Sequence, residues 1–142
     1  MNNIYTTHLE TPPVDDYLRL RRNAGLTARS VAAAEAGLPN TVAAVVIRHD
    51  GTAVGMGRLI GDGLFYQVVD IAVEPAHQGR GLGKAVMAAL MEQARRLAPA
   101  EAYVSLIADG RASELYAQYG FAPTAPGSVG MAQWLGGTRD PD

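Results

Sequence analysis

The chain has no cysteine in its 142 residues. That excludes a disulfide framework, a thiol nucleophile and a Cys-ligated zinc, and it fits a reducing compartment, so the expected location is the cytoplasm. A surplus of one charge sign is also missing: 12 Lys and Arg stand against 14 Asp and Glu, for a formal net charge of −2 and a pI near 5.9. A protein that tracks phosphates needs a basic face. Arg19, Arg21 and Arg22 cluster, but Asp15 and Asp16 sit beside them, so no nucleic-acid partner is expected. Long hydrophobic runs are absent as well. The longest, Ala85 to Met91, lies between Lys84 and Glu92 and falls far short of the roughly 20 residues a membrane span needs. The start, Met1 to Tyr5, has neither the basic head nor the apolar stretch of a secretory signal, and none is expected. No His, Asp or Glu group shows metal-ligand spacing, and no metal is expected. With no repeat, low-complexity tract or long linker, and 48% apolar content, residues 1–142 are expected to form a single domain.

What is present is a clear order of elements. Ile4 to His8 reads as a short strand, and Pro12-Pro13 opens a helix in which Val14, Tyr17 and Leu18 fall at i, i+3 and i+4 before Asn23-Ala24-Gly25 ends it. A second helix is expected over Arg29 to Ala36. Valine-rich Thr41 to Arg48 reads as a strand running into Asp50-Gly51, a strong hairpin signal, followed by strands over Val54 to Ile60 and Leu64 to Val73. From Leu82 the period changes. Val86, Leu90, Ala94 and Leu97 recur at helical spacing until Pro99, and Ala102 to Ala108 and Arg111 to Tyr119 then read as a strand and a short helix. The strand–helix–strand succession predicts that Leu64–Val73 and Ala102–Ala108 are parallel neighbours. Met131 to Leu135 reads as a final strand whose Trp134 would serve a homodimer interface or the core. The fold class is mixed α/β: a mostly antiparallel sheet with flanking helices and one parallel pair.

Between strand and helix lies His77-Gln78-Gly79-Arg80-Gly81-Leu82-Gly83-Lys84. Three glycines in five residues leave backbone N–H groups uncovered at a helix start, where four donors lack internal partners and the macrodipole is positive. This is an anion site suited to phosphate. The plainer reading is a turn that lets helix and strand pack closely. Neither of two familiar phosphate loops fits. A P-loop needs four residues between its first Gly and Gly-Lys-Ser/Thr, whereas Gly79 and Gly83 enclose three and Ala85 follows Lys84. A dinucleotide fingerprint needs a third glycine where Lys84 or Val86 stands.

What fits is Gln78-x-x-Gly81-x-Gly83, preceded by Asp70-Ile71-Ala72-Val73-x-Pro75 and followed by Ala112-x-x-Leu115-Tyr116-x-x-Tyr119-Gly120-Phe121. These resemble the acetyl-CoA-binding motif and the C-terminal helix motif of the GNAT superfamily of N-acetyltransferases, and the resemblance spans about the whole chain. It implies a GNAT-like sheet with its parallel strand pair at the cofactor site, and acetyl-CoA as cosubstrate. The backbone of Ile71, Ala72 and Val73 would pair with the pantetheine arm, while Gln78, Gly79, Arg80, Gly81, Leu82, Gly83 and Lys84 would bind the pyrophosphate. Tyr116 would lie near the thioester sulfur. Ala112 and the residue three before it would also meet the cofactor. Many members carry asparagine there, but this chain has Asp109, which can accept a hydrogen bond and cannot donate one when ionised.

Acetyl transfer to an amine calls for a base, an oxyanion donor and an acid. Tyr116 is the candidate acid, and Tyr119 reads as a packing residue. Asp70 is the candidate base because it interrupts the apolar Val68 to Val73, where an unpaired carboxylate is costly; the alternative is a structural pairing with an arginine. Glu74 reads as a solvated strand end and His77 as a surface histidine. The expected activity is transfer of an acetyl group to a primary amine on a small molecule or peptide. The alternative is a non-catalytic acyl-CoA-binding module. The resemblance also implies acceptor contacts from Val14 to Asn40 and from Ala122 to Gly130.

Overall fold

In the computed structural model, which describes residues 4–137, five strands make one sheet in chain order. They are β1 (Tyr5–His8), β2 (Ala43–His49), β3 (Thr52–Gly61), β4 (Phe65–Val73) and β5 (Tyr103–Ser105). β1 to β4 are antiparallel neighbours, and β5 joins β4 in parallel. Asp50 and Gly51 both take positive φ (51° and 81°), which matches the right-handed twist of the strands they connect, so β2 turns into β3 in a two-residue hairpin. At the next turn the exposed Asp62 carboxylate accepts the amides of Leu64 and Phe65 at 2.9 and 3.0 Å, which holds its pKa below the ordinary value.

The sheet has helices on both faces. α3 (Leu82–Leu97) covers one, seating Val86, Met87 and Leu90 against Val45, Ile47, Leu59 and Val68. α1 (Val14–Asn23) and α2 (Val31–Gly37) cover the other, where Tyr17, Leu20 and Ala34 meet Val46, Met56 and Ala72. Local chemistry favours each helix. Asp15 and Asp16 lie in the first turn of α1 and Arg21 and Arg22 in its last, matching the macrodipole, and the Ser30 hydroxyl caps α2 by accepting the Ala33 amide at 3.1 Å. A last short helix, α4 (Ala112–Ala117), packs on α3.

β4 carries a bulge that decides where the chemistry lies. Its register to β3 runs Arg58↔Val69 and then Met56↔Ala72, so Asp70 and Ile71 together oppose Gly57. One extra residue reverses which face each later side chain meets. Tyr66 and Val68 face α3, whereas Ala72, of the same parity, faces α1 and α2. Asp70 absorbs the irregularity at φ 59°, a left-handed conformation that a non-glycine residue seldom adopts. Gly57 is fixed by space: a Cβ there would stand 2.5, 2.6 and 2.9 Å from Val86, Ile71 and Leu90 carbons. Gly57→Ala is therefore expected to destabilise the protein by about 1–3 kcal/mol through overpacking. Urea melts would check this, and a variant as stable as wild type would show that α3 can shift to make room.

Three expectations need correction. The strand expected over Ala102–Ala108 is only Tyr103–Ser105, because its ladder to β4 stops at Gln67↔Ser105, before the bulge. Leu97 is 57% exposed and does not belong to the buried stripe of α3, which ends at Ala94. Met131 to Leu135 forms no strand: it has no ladder partner among the described residues, and Met131 and Leu135 are exposed.

Candidate active site

The loop between β4 and α3 is built for backbone donors. Gly79 and Gly81 take φ 78° and 79°, and nothing lies within 4 Å of where their Cβ atoms would be, so conformation and not crowding calls for glycine. Gly83 is different. A Cβ there would meet Leu115 at 3.3 Å, so this glycine lets α4 approach α3, a helix-to-helix contact rather than the helix-to-strand packing of the plainer reading. The first backbone donor of α3 with an internal acceptor is Ala85, bonded to the Gly81 carbonyl, which leaves the preceding N–H groups for an external anion. The Gln78 side chain donates to the Val73 carbonyl at 3.1 Å and pins the loop to the end of β4. Arg80 donates to the Tyr5 hydroxyl at 3.2 Å.

Beyond Gln67 the outer edge of β4 has no ladder partner among the described residues, although the Val73 carbonyl accepts from Gln78. Next to this strand opens a cavity of about 770 Å³ whose walls bring together Tyr17, Asp70, Ile71, Asp109, Ala112 and Tyr116. Tyr17, Leu26, Arg29 and Leu38, from the Val14 to Asn40 stretch, line the cavity, and its C-terminal lining comes from Ala132, Gln133 and Trp134, beyond Ala122 to Gly130. The Arg29 guanidinium lies over the Trp134 ring, 4.7 Å from its centroid.

Asp70 sits at the cavity floor with its side chain 6% exposed, and each of its oxygens holds an arginine: Oδ1 accepts from Arg21 at 2.5 Å and Oδ2 from Arg58 at 2.6 Å. Both guanidinium groups are satisfied further, Arg21 by the Thr27 carbonyl and Arg58 by the Thr41 hydroxyl at 2.9 Å. This favours the structural half of the Asp70 alternative. Neither arginine was legible as a site residue, because each reaches Asp70 from a different element. The available signal was Arg58 itself, a lone cation in apolar Val54 to Ile60 on the strand paired with Asp70's. Burial, and then the charge of Asp70, raise the pKa of the neighbouring Tyr17.

Tyr116 projects from α4 into the cavity, half buried. Burial first, and the charge of Asp109 second, push its pKa above the ordinary 10. Tyr119 points elsewhere and donates to the Lys84 carbonyl at 2.9 Å. Two other readings change. Glu74 is not a solvated strand end: its carboxylate accepts from Arg19 at 2.6 Å and from Asn23 at 3.0 Å, fastening α1 to the end of β4. His77 is not a free surface residue, since it shares a 2.8 Å hydrogen bond with Tyr5 and packs against the His49 ring at 5.0 Å between centroids. No group of three metal-ligating side chains occurs among the described residues, and no described helix is long and apolar enough to cross a membrane.

This fold has known counterparts. Residues 40–123, more than half of the chain, match the family described as the acetyltransferase (GNAT) domain. The chain belongs to the GNAT acetyltransferases. The chain is also similar to the crystal structure of the meticillin-resistant Staphylococcus aureus protein SA2161, described as a probable acetyltransferase. It is 40% identical with a TM-score of 0.88 over 93% of this chain and 100% of that one. Serotonin N-acetyltransferase 2 of Oryza sativa subsp. japonica is 40% identical over 83 residues, 58% of this chain and 40% of that protein. GCN5-related N-acetyltransferase 1 of Arabidopsis thaliana is 32% identical over 110 residues, 75% of this chain and 55% of that protein. The chain thus spans about half the length of these two curated relatives.

Proposed function

We propose that this chain is an acetyl-CoA-dependent N-acetyltransferase that acetylates a primary amine. The observation that carries the reading is the occurrence together of three features: N–H groups at the start of α3 without an internal acceptor, a β4 edge that has no ladder partner beyond Gln67 among the described residues, and a cavity holding Tyr116. The residues present fit the cosubstrate. Gln78 to Lys84 would hold the pyrophosphate through backbone donors and the Lys84 charge, and the Ile71–Val73 backbone would bond the pantetheine arm, with Ala112 beside it. Acetyl-CoA supplies an activated acyl group whose leaving atom is a thiolate. Tyr116, protonated at neutral pH, donates the proton that the thiolate needs. Asp70 acts by position, fixing the bulge through Arg21 and Arg58. Leu26, Leu38, Ile60, Ile107 and Trp134 give the cavity apolar walls, which suit an amine on an apolar or aromatic body.

Acetyl-CoA should raise the melting temperature of the wild type, by the equivalent of about 2.7 kcal/mol at a hundred times Kd. Gly81→Glu should abolish that rise by placing bulk and negative charge where the pyrophosphate would sit. Melting without ligand reports separately whether the variant folds. An undiminished rise in a folded Gly81→Glu protein would place the cosubstrate elsewhere.

A further inference from the structure

The glycine loop is fastened from β1, the edge strand at the opposite side of the sheet from β5. Tyr5 opens that strand opposite His49 on β2, and its half-buried ring packs against the core on the α3 side. Three rings meet there. Tyr5 lies 5.1 Å from His49 and 5.6 Å from His77 between centroids, the second pair edge-on at 89°. The Tyr5 hydroxyl makes two bonds, and both reach the loop: 2.8 Å to His77 Nδ1 and 3.2 Å to Arg80 Nη1. A guanidinium only donates, so the phenol oxygen accepts from Arg80, and its own proton is left for a neutral His77 ring. One hydroxyl thereby grips the chain on both sides of Gly79, whose φ of 78° carries the bend between them.

The choice of partner for Arg80 bears on ligand binding. Arg80 is exposed, and no carboxylate pairs with it among the described residues. A carboxylate in that place would compete with a phosphate for the guanidinium, whereas a phenol orders the side chain and leaves its charge available. Ordering a long side chain before the ligand arrives removes an entropic cost from the binding step.

We propose that Tyr5 is a positioning residue for the cosubstrate: its hydroxyl holds Arg80, and with it the glycine loop, ready for the pyrophosphate of acetyl-CoA. The inference rests on the N-acetyltransferase reading above, which assigns the pyrophosphate to this loop. Tyr5 does not line the cavity that holds Tyr116, so its effect falls on cosubstrate affinity and not on acyl transfer itself.

The test compares wild type, Tyr5→Phe, Arg80→Ala and the double variant. Phenylalanine keeps the ring packing and removes only the oxygen. Calorimetry gives the Kd of acetyl-CoA and of S-acetylpantetheine, which has the thioester arm and lacks the pyrophosphate. Tyr5→Phe is expected to weaken acetyl-CoA binding about tenfold, on the order of one hydrogen bond to a charged group, and to leave S-acetylpantetheine unchanged. In the Arg80→Ala background the same substitution should cost less than about twofold, because the side chain it holds is gone. A readout without ligand is trypsin cleavage after Arg80, identified by mass spectrometry, which should run several-fold faster in Tyr5→Phe as the loop opens more often. Equal acetyl-CoA affinity in wild type and Tyr5→Phe, equal weakening of both ligands, an undiminished effect without Arg80, or unchanged cleavage would each overturn the proposal. So would an Arg80→Ala protein that binds acetyl-CoA like wild type, and that arm alters only an exposed side chain, so it remains decisive should Tyr5→Phe fail to fold. A wild type with no affinity for acetyl-CoA would overturn the N-acetyltransferase reading itself, and this assignment with it.

Discussion

Tyr116→Phe is expected to lower turnover by about 10²–10⁴-fold, the usual worth of a general acid, while acetyl-CoA affinity and melting temperature stay near wild type. The substitution removes one oxygen from a half-buried ring and leaves its packing against α3 and the sheet intact. The pH dependence has a definite sign. Burial and the Asp109 charge raise the phenol pKa above 10, so the proton is in place at neutral pH and is lost only as pH climbs through that raised value. Wild-type activity should therefore carry an alkaline limb that Tyr116→Phe lacks. Tyr119→Phe is the matching control. It removes the bond to the Lys84 carbonyl and should reduce stability by about 0.5–1.5 kcal/mol without changing turnover. Equal turnover in wild type and Tyr116→Phe, at saturating acceptor, would leave thiolate protonation to water.

Asp70→Asn should cost about 3–5 kcal/mol of stability, because it leaves Arg21 and Arg58 facing each other across an uncharged amide in a nearly closed site. For a chain of this size that is a fall in melting temperature on the order of 10 °C. Asparagine keeps the shape and tolerates the left-handed backbone at φ 59°, so the loss reports charge and not strain. Partial rescue is expected from adding Arg58→Met, which removes one of the two cations that share Asp70. Differential scanning calorimetry of the single and double variants measures the effect. A variant that melts like wild type yet loses turnover, most at low pH, would restore Asp70 as the base.

Much of this was legible in the sequence where interactions are local. The bounds of α3 follow from the helical period between a glycine loop and Pro99, and the β2–β3 turn follows from Asp50-Gly51, whose backbone needs are met within the dipeptide itself. Asp70 stood out because a carboxylate in an apolar strand must be compensated. Its partners did not, because Arg21 lies 49 residues away in sequence and Arg58 12, and which of several arginines turns inward is fixed by packing. Glu74 and His77 were misread for the same reason, since Arg19 and Tyr5 reach them from α1 and β1. The length of β5 and the path of Met131 to Leu135 depend on whether a ladder partner is available, which composition does not encode.

The most direct test of the central claim is thiol release from acetyl-CoA by the purified protein, followed with and without a panel of primary amines and paired with mass spectrometry of the amines. The account predicts amine-dependent thiol release matched by an N-acetylated product, lost in Gly81→Glu and sharply reduced in Tyr116→Phe. Acetyl-CoA binding at the glycine loop with no amine-dependent release across the panel would contradict it, and would mark the chain as an acyl-CoA-binding module without catalysis.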